Sequence, residues 1–523
     1  MIGGSPIRLL RLTPAGRALV DRLAAGEPVP PAEAGQRLTR RLLDAGLAHP
    51  RPPPPASDVD VAVVIPVRND PAGLAATLAA LARSAPVAPD GPGPTSATSP
   101  AAPDGAIPTS PVAPDGLDPS LPTVVVVDDA SAHPVAVSVP APLAAIALRR
   151  PTQGGPAAAR NDGWRAVDAE LVAFIDANCE PQHGWLDALL PHFGDPLVAA
   201  VAPRILAGPH PAVPRWLAAY EAVGSPLDLG SREAIVRPRS PVAYVPTAAL
   251  VVRRSALEAL GGFDEALTVG EDVDFVWRLV AAGWTVRYEP RAAVRHPMRP
   301  TATAWLAQRY RYGTSAAALA ARHGAAVAPA VVAPWTAAAW ALLAAGHPLA
   351  GAAAAAYSVA ALAGLGPSPS TLRQSGPPAD AEAVRRTGPP ACPQPVGLPP
   401  GEALRLVGIG HLRGGLALAR AVRRAWAPAA IVLAVTSRRS RPALVGAAVV
   451  PGLVEWARRR PRLDPVRFAT VHLADDLAYA AGLWAGCARH RSGRALLPDF
   501  RGARRRRLRQ TGGSPSPAIG DRA

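Results

Sequence analysis

Acidic side chains recur where strands are predicted to end or a helix to begin. They are Asp128, Asp129, Asp176, Glu271, Asp272 and Asp274. Carboxylates at strand ends can hold a divalent metal that offsets the charge of a diphosphate, and a further carboxylate can act as a general base. Any one of them alone is more typical of a cap or a turn. Their order along the chain is the specific signal.

The elements that position these residues follow an α/β pattern from residue 58. Strands are predicted over 58–67, 123–131, 171–178 and 197–205, with helical patterns between them. Continuous apolar strands separated by helices predict a mostly parallel sheet with helices on both faces. Ligands of such sheets bind at the carboxyl ends of the strands, where the acidic residues lie.

The rest of the chain divides by composition. The predicted parts are a small helical N-terminal module (1–50), the α/β domain (58–320) with a low-complexity insertion (85–122), an apolar hairpin (323–372), a Pro/Gly-rich linker (373–402), a helical C-terminal region (403–500) and a basic disordered tail (501–523).

The apolar hairpin has two interpretations. Its arms, 325–345 and 349–366, are long enough for a membrane hairpin, but they are mainly Ala, so a buried soluble hairpin fits equally well. Arginines on both sides of the hairpin would place both ends in the cytoplasm if it spans a membrane. We therefore expect the protein at the cytoplasmic face of the membrane or in the cytoplasm.

Composition excludes some classes of protein and leaves others open. Hydrophobic residues make up 49% of the 523, which excludes a fully disordered chain. The net charge of +16 comes entirely from arginines in an Ala-rich chain. This bias indicates a GC-rich coding sequence, so the charge alone does not predict a nucleic-acid partner. Three cysteines without short metal spacing disfavour a disulfide framework and a structural zinc.

Six motifs together resemble glycosyltransferase family 2, whose members have the GT-A fold. They are VVIPVRND, VVVVDDAS, GGPAAARNDG, VAFIDANCEP, GGFDEALTVGEDVDFVWRL and RHPM, between residues 58 and 312. The resemblance implies an inverting sugar transfer from a nucleotide donor, with Mn²⁺ or Mg²⁺ as cofactor.

The resemblance also implies a role for each matching position. The donor nucleotide would be bound by Pro66, Val67, Asn69, Asp128, Arg160 and Asp176. Asp176, Asn178 and His296 would hold the metal. Asp272 would be the general base, with Glu271 on the acceptor and phosphate side.

Two features depart from the family pattern or match it weakly. Asn178 stands where the family usually has Asp, and an amide brings no charge to a metal. Gln308, Arg311 and Tyr312 resemble the QxxRW motif of processive synthases, with Tyr for Trp. So short a motif is about as well explained by structural packing as by acceptor and phosphate binding.

The N- and C-terminal parts resemble the glycosyltransferase family of the mycofactocin system. The matching segments are RLTPAGRALVDRLAAG, LLDAGLAHPRP, LDPVRFATVHLADDLAYAAGLWAG and ALLPDFRG. That resemblance implies β-linked transfer of glucose from UDP-glucose to premycofactocin, a peptide-derived redox cofactor, building an oligosaccharide.

Three other functions remain open at this level. The first is a GT-A enzyme that acts on a lipid or cell-wall glycan. The second is an inactive scaffold that binds UDP or a peptide, suggested by Asn178. The third, a DNA-binding protein using the N-terminal helices and the basic tail, is the least favoured. No GxGxxG follows the strands at 58–67 or 123–131, which disfavours a nicotinamide enzyme.

Overall fold

The computed structural model describes residues 2–4, 8–10, 12–54, 59–84, 122–140, 143–363 and 400–500. Most of the predicted insertion and linker, and all of the basic tail, lie outside these ranges. The chain forms two units, residues 1–326 with 459–464, and residues 327–458 with 465–523.

The N-terminal module of the first unit consists of two short strands and two helices. They are β1 (Ile2–Gly3), β2 (Arg8–Leu9), α1 (Pro14–Ala24) and α2 (Glu33–Asp44). The Thr13-Pro14 pair starts α1, because the Thr13 hydroxyl accepts from the Gly16 N–H at 3.1 Å and Pro14 lacks an N–H at a position where the first turn leaves it without a helical partner.

A nine-stranded sheet forms the centre of this unit. Its strands are β3 (Val61–Val67), β4 (Thr123–Asp128), β5 (Ala145–Arg149), β6 (Leu171–Ile175), β7 (Glu180–Pro181), β8 (Val198–Gly208), β9 (Ala234–Ile235), β10 (Ala249–Arg253) and β11 (Thr285–Pro297). The order is β5-β4-β3-β6-β10-β8-β11-β7, and β9 pairs with β11.

The sheet is α/β as predicted, but it is mixed rather than mostly parallel. The pairs among β5, β4, β3 and β6 are parallel, and so is the β8–β11 pair. Strand β10 runs antiparallel between β6 and β8, and β7 and β9 run antiparallel to β11. No strand was predicted at β10, and a run of buried apolar residues does not by itself give the direction of a strand in the sheet.

Helices cover the sheet. They are α3 (Pro71–Ser84), α4 (Gly155–Arg165), α5 (Trp185–Leu189), α6 (Arg215–Gly224), α7 (Arg254–Leu260), α8 (Glu271–Ala281), α9 (Ala302–Thr314) and α10 (Ala316–His323). Helix α4 lies very close to the sheet, since a Cβ added at Gly163 would be 2.3 Å from Val64 Cγ1. The core between sheet and helices includes Ile65, Leu74 and Leu78, each at most 1% exposed.

The second unit is helical, as predicted for the C-terminal region. Its elements are β12 (Val331–Val332), α11 (Pro334–Ala344), α12 (Pro348–Ala363), α13 (Pro400–Arg424), α14 (Ala427–Thr436), α15 (Arg441–Arg459), α16 (Pro465–Arg489) and β13 (Asp499–Phe500). The first predicted apolar arm is only partly helical, because β12 and Pro334 interrupt it. Within the described ranges, no helix has both the length and the apolar character needed to cross a membrane.

Candidate active site

The carboxyl ends of β3 and β4 form one loop cluster. Val67 pairs in register with Asp128, so the segments that follow both strands lie side by side. The Asn69 N–H donates to the Ser131 hydroxyl at 2.9 Å, and the Asn69 side-chain oxygen accepts from the Ala132 N–H at 2.8 Å. Asn69 has φ of 53°, a left-handed conformation that Asn tolerates well. Pro66 is half-buried and Asn69 is exposed. The loop therefore presents the polar side chain of Asn69 at the strand ends.

The Asp128 carboxylate is hydrogen-bonded to other groups of the protein. Its carboxylate accepts from the Ser131 N–H at 2.9 Å, the Val135 N–H at 3.2 Å and Arg149 at 2.7 Å. The residue is 5% exposed. In this arrangement Asp128 fixes the loop, and its predicted contact with the nucleotide stays a prediction.

Asp129 positions the glycine turn, a role that sequence reasoning missed. Its two oxygens accept from the Gly154 and Gly155 N–H groups, each at 2.8 Å, and Arg150 lies 3.0 Å away. These contacts tie the start of α4 to the end of β4. The sequence signal for this role was that two carboxylates, Asp128 and Asp129, stand side by side. In such a pair one side chain can face a ligand while its neighbour supports the loop.

Arg160 joins two of the predicted site carboxylates. It is 3% exposed, and it donates to Asp176 at 2.7 Å and to Glu271 at 3.0 Å. The predicted approach of Arg160 to the nucleotide stays a prediction, since both of these bonds are made within the protein. The arginine links the end of β6 to the start of α8 and holds the two carboxylates in one place.

Asp272, the predicted general base, is the second residue of α8 and is half-buried. The helix begins directly after Gly270, whose φ of 85° turns the chain into it. Burial, and next the charge of Glu271, raise the pKa of Asp272 to about 7, although the Val273 N–H and Arg160 favour the carboxylate. A carboxyl with a pKa near neutrality can accept a proton from a hydroxyl and release it again.

His296, a predicted metal ligand, forms a hydrogen bond within the protein through one ring nitrogen. It lies near the end of β11, where Nδ1 is 2.9 Å from the Pro297 carbonyl oxygen and must therefore carry the proton. Burial lowers its pKa, partly opposed by the charge of Asp176. The neutral imidazole leaves the Nε2 lone pair available. Pairing of Glu180 with Arg295 brings the segment after Asn178 to the same end of β11.

Helix α9 lines a narrow cavity beside His296. The cavity is lined in part by His296, Arg299, Gln308 and Tyr312 and has room for about one water molecule. With the Gln308 amide turned to satisfy its neighbours, its oxygen accepts from Arg299 at 3.1 Å and from the Tyr312 hydroxyl at 2.9 Å. Arg311, the third residue of the predicted motif, is exposed and is not among the residues that line this cavity.

The buried arginine of α9 is Arg309, which sequence reasoning passed over. It is 3% exposed and forms an ion pair with buried Glu221, which also accepts from the Trp305 indole N–H at 3.0 Å. Trp305, Gln308 and Arg309 are spaced as one helical face, with Tyr312 one turn further on. That 3.6-residue spacing was the signal for this buried face.

The predicted metal ligands contribute few of the usual metal-binding groups. In the part of the chain that the structure describes, no three His, Cys, Asp or Glu side chains converge as a metal site. Asp176 and His296 supply one carboxylate and one imidazole, and Asn178 can add only an amide oxygen. This set fits a divalent cation only if the donor's phosphate oxygens complete the coordination.

Comparison with known proteins gives the class. The family described as glycosyl transferase family group 2 matches residues 171–369. The pre-mycofactocin glycosyltransferases of two Mycobacterium tuberculosis strains, CDC 1551 / Oshkosh and ATCC 25618 / H37Rv, are each 40% identical over 515 residues, covering 96% of this chain and 94% of theirs. The chain is thus a glycosyltransferase of family 2, with the GT-A fold. Within that class it belongs to the family of the pre-mycofactocin glycosyltransferases.

Other known proteins match a smaller part of this chain or have a low TM-score. A probable N-acetylgalactosaminyltransferase of Caenorhabditis elegans is 26% identical over 29% of each chain. Among solved structures, the mannosyltransferase PcManGT of Pyrobaculum calidifontis, in complex with GDP-Man and Mn²⁺, covers 68% of this chain and 89% of its own at 20% identity, with a TM-score of 0.36. GalNAc-T7 with UDP, GalNAc and Mn²⁺ covers 46% of this chain and 43% of its own at 15% identity, with a TM-score of 0.31.

Proposed function

We propose that the protein is an inverting glycosyltransferase that moves glucose from UDP-glucose to the mycofactocin precursor and extends it into a β-linked oligosaccharide. The observation that carries the mechanism is Asp272, a half-buried carboxyl with a pKa raised to about 7 beside Glu271 and Arg160. A purely structural carboxylate would instead be paired, as Asp274 is with Arg278 at 2.7 Å.

In the proposed reaction, the Asp272 carboxylate takes the proton of an acceptor hydroxyl. The hydroxyl oxygen forms a bond to the anomeric carbon while the bond from that carbon to the UDP oxygen breaks. The electron pair of the broken bond stays on UDP. Attack from the face opposite UDP converts an α-linked donor into a β-linked product.

The diphosphate needs compensating positive charge as it leaves. Asp176 and His296, with the amide of Asn178, would hold a divalent metal against the donor phosphates, and the metal would supply that charge. Supporting this arrangement, His296 keeps its Nε2 lone pair available, and its pKa is sensitive to Asp176. Pro66 and Asn69, at the end of β3, would face the nucleotide, and Val67, whose side chain packs in the core, would contribute only its backbone.

The acceptor proposal rests on the family. Two relatives named pre-mycofactocin glycosyltransferase match along nearly the whole chain, including the N-terminal module and the C-terminal helices. A lipid or cell-wall glycan acceptor would use the same mechanism. The cellular location, at the cytoplasmic face of the membrane or in the cytoplasm, stays a prediction.

The decisive experiment measures UDP release by the purified protein with UDP-glucose and Mn²⁺, with and without premycofactocin, followed by the mass of the product. Acceptor-dependent release with added hexose masses supports the proposal. Turnover only with lipid or glycan acceptors would keep the mechanism and replace the acceptor. UDP binding without any turnover would indicate a binding module instead.

The assignment of Asp272 is tested by Asp272→Asn. We expect the dissociation constant for UDP to change less than about 2-fold, while kcat falls at least about 100-fold, because the amide cannot accept the proton. Asp168→Asn is the matched control, since its side chain is 96% exposed. Normal turnover by Asp272→Asn would show that another group is the base.

A further inference from the structure

Helix α14 is apolar on all sides and yet lies open to solvent. Its sequence APAAIVLAVT contains no charged residue. Ile431 is 60% exposed, Val432 62% and Val435 71%, and in the first half of α15 Val445 is 62% exposed. We call residues 427–450 the α14–α15 tip. An exposed apolar surface of this kind on a folded unit marks a contact with a membrane or another protein.

The charge around the α14–α15 tip has one sign. The segment 403–454 contains no Asp or Glu, and it contains eight arginines, at positions 405, 413, 420, 423, 424, 438, 439 and 441. Arg438 and Arg439 lie in the turn between the two helices and are exposed, and in the described residues neither forms an ion pair. A protein partner for this surface would have to be acidic, whereas an anionic bilayer offers both an apolar layer and negative charge.

The backbone at the end of α14 is hydrogen-bonded within the tip. The Leu433 carbonyl accepts from the Ser437 N–H at 2.9 Å. The carbonyls of Ala434 and Val435 both accept from the Arg441 guanidinium, at 2.8 and 3.2 Å. These helix-end carbonyls normally depend on water. Because they are satisfied internally, the helix end can leave water at little cost, which is a condition for entering lipid.

From Ala448 onward, helix α15 is fixed to the rest of its unit. Arg423 of α13 donates to the Ala448 carbonyl at 3.0 Å and pairs with Asp476 of α16. Arg420 pairs with Glu455 at 3.0 Å, and a Cβ at Gly452 would be 2.9 Å from the backbone of Ala469 in α16. The apolar tip therefore extends from a helix that is fixed to the rest of its unit.

We propose that the α14–α15 tip docks the protein onto a bilayer that contains anionic lipid, with the apolar side chains in the interfacial layer and Arg438 and Arg439 among the headgroups. Helix α14 has ten residues, about 15 Å, which is half the thickness of the hydrocarbon core. The tip therefore lies in the surface layer and does not cross it. This inference goes beyond the proposed catalytic function and does not depend on it.

Vesicle flotation with the full-length protein tests the proposal. We expect binding to vesicles of phosphatidylcholine with 30% phosphatidylglycerol (about a third of the lipid, enough to give a negative surface), and weaker binding to phosphatidylcholine alone. Val432→Ser/Val435→Ser should weaken binding at least about 10-fold through lost apolar burial. Arg438→Ser/Arg439→Ser should weaken it by roughly 5-fold per arginine on anionic vesicles only, at about 1 kcal/mol each.

Two control variants make the same chemical changes elsewhere. Leu497→Ser alters an apolar residue that is 63% exposed, and Arg489→Ser/Arg491→Ser removes two exposed arginines outside the tip. Both should bind vesicles as the unaltered protein does. Thermal melting by circular dichroism, measured for every variant, should give an unchanged midpoint and shows that each one is folded.

Three outcomes would overturn the proposal. The first is equal binding by the tip variants and the unaltered protein, which would assign membrane contact to another part of the chain. The second is absence of binding to anionic vesicles. The third is concentration-dependent dimerisation, by light scattering, that the Val432→Ser/Val435→Ser variant abolishes without any change in vesicle binding, which would make the tip a contact between copies of this chain.

Discussion

Asp272 sets the pH dependence of the proposed reaction. Burial and Glu271 raise its pKa to about 7, so the carboxylate form is lost as the pH falls through neutrality. Because only the carboxylate accepts a proton, kcat should fall about tenfold per pH unit below about pH 6 and reach a plateau above about pH 8. A kcat profile from pH 5 to 9 at constant ionic strength measures this.

The control for the profile is Asp168→Asn, which should follow the same curve because Asp168 is exposed. A profile that stays flat down to pH 5 would contradict the assignment, since it would require a base with an ordinary carboxyl pKa.

Asn178 would limit the charge that the proposed metal site offers. Asn178→Asp adds a carboxylate to the proposed ligand set of Asp176 and His296, so we expect the Mn²⁺ concentration for half-maximal UDP release to fall several-fold to about tenfold. Gln182→Glu adds the same charge four residues away and should have little effect. Equal shifts in both variants would mean that overall charge, and not ligation, is responsible.

At the scale of elements, helix α4 packs tightly against the sheet. Gly163→Ala would place its Cβ 2.3 Å from Val64 Cγ1 and 3.2 Å from Val127 Cγ2. Helix α4 would have to move, and it carries Arg160. We expect a loss of about 1–3 kcal/mol in the free energy of unfolding, measured with denaturant, and weaker UDP binding.

The matched change is Gly410→Ala in α13, where nothing lies within 4 Å of the added Cβ. It should be neutral or stabilise by about 0.5–1 kcal/mol, because Ala favours a helix over Gly. A neutral Gly163→Ala would show that α4 and the sheet are less tightly packed than the described contacts require.

For the whole molecule, the insertion is the simplest part to remove. Strands β3 and β4 pair in register from Ala62–Thr123 to Val67–Asp128. Replacing residues 86–119 with a ten-residue Gly-Ser linker should leave UDP release unchanged. It should also stabilise the protein by roughly 1 kcal/mol, because a shorter loop loses less entropy on closing. Thermal melting measures the stability and the UDP assay measures the activity. A loss of turnover with an unchanged melting temperature would show that the insertion contributes to function.

The sequence by itself determined the class of the protein and several of its elements. Apolar runs predicted β3, β4, β6 and β8, and the acidic first turn predicted the start of α8, because burial and charge at a helix end act over a few residues. The order of six short motifs predicted the family, which the relatives confirm.

The tertiary structure decided which of two neighbouring residues does what. Asp128 and Asp129 look equivalent in the sequence, but Asp128 accepts from Arg149, 21 positions further on, and Asp129 accepts from the Gly154 N–H, 25 positions further on. In the same way Arg309, and not Arg311, is buried in α9, and Arg160 donates to Glu271, 111 positions further along the chain. Such pairings, and the antiparallel position of β10 in the sheet, depend on long-range packing, which local sequence patterns do not predict. The exposure of α14 was equally hidden, since an apolar run reads the same whether it is buried or open to solvent.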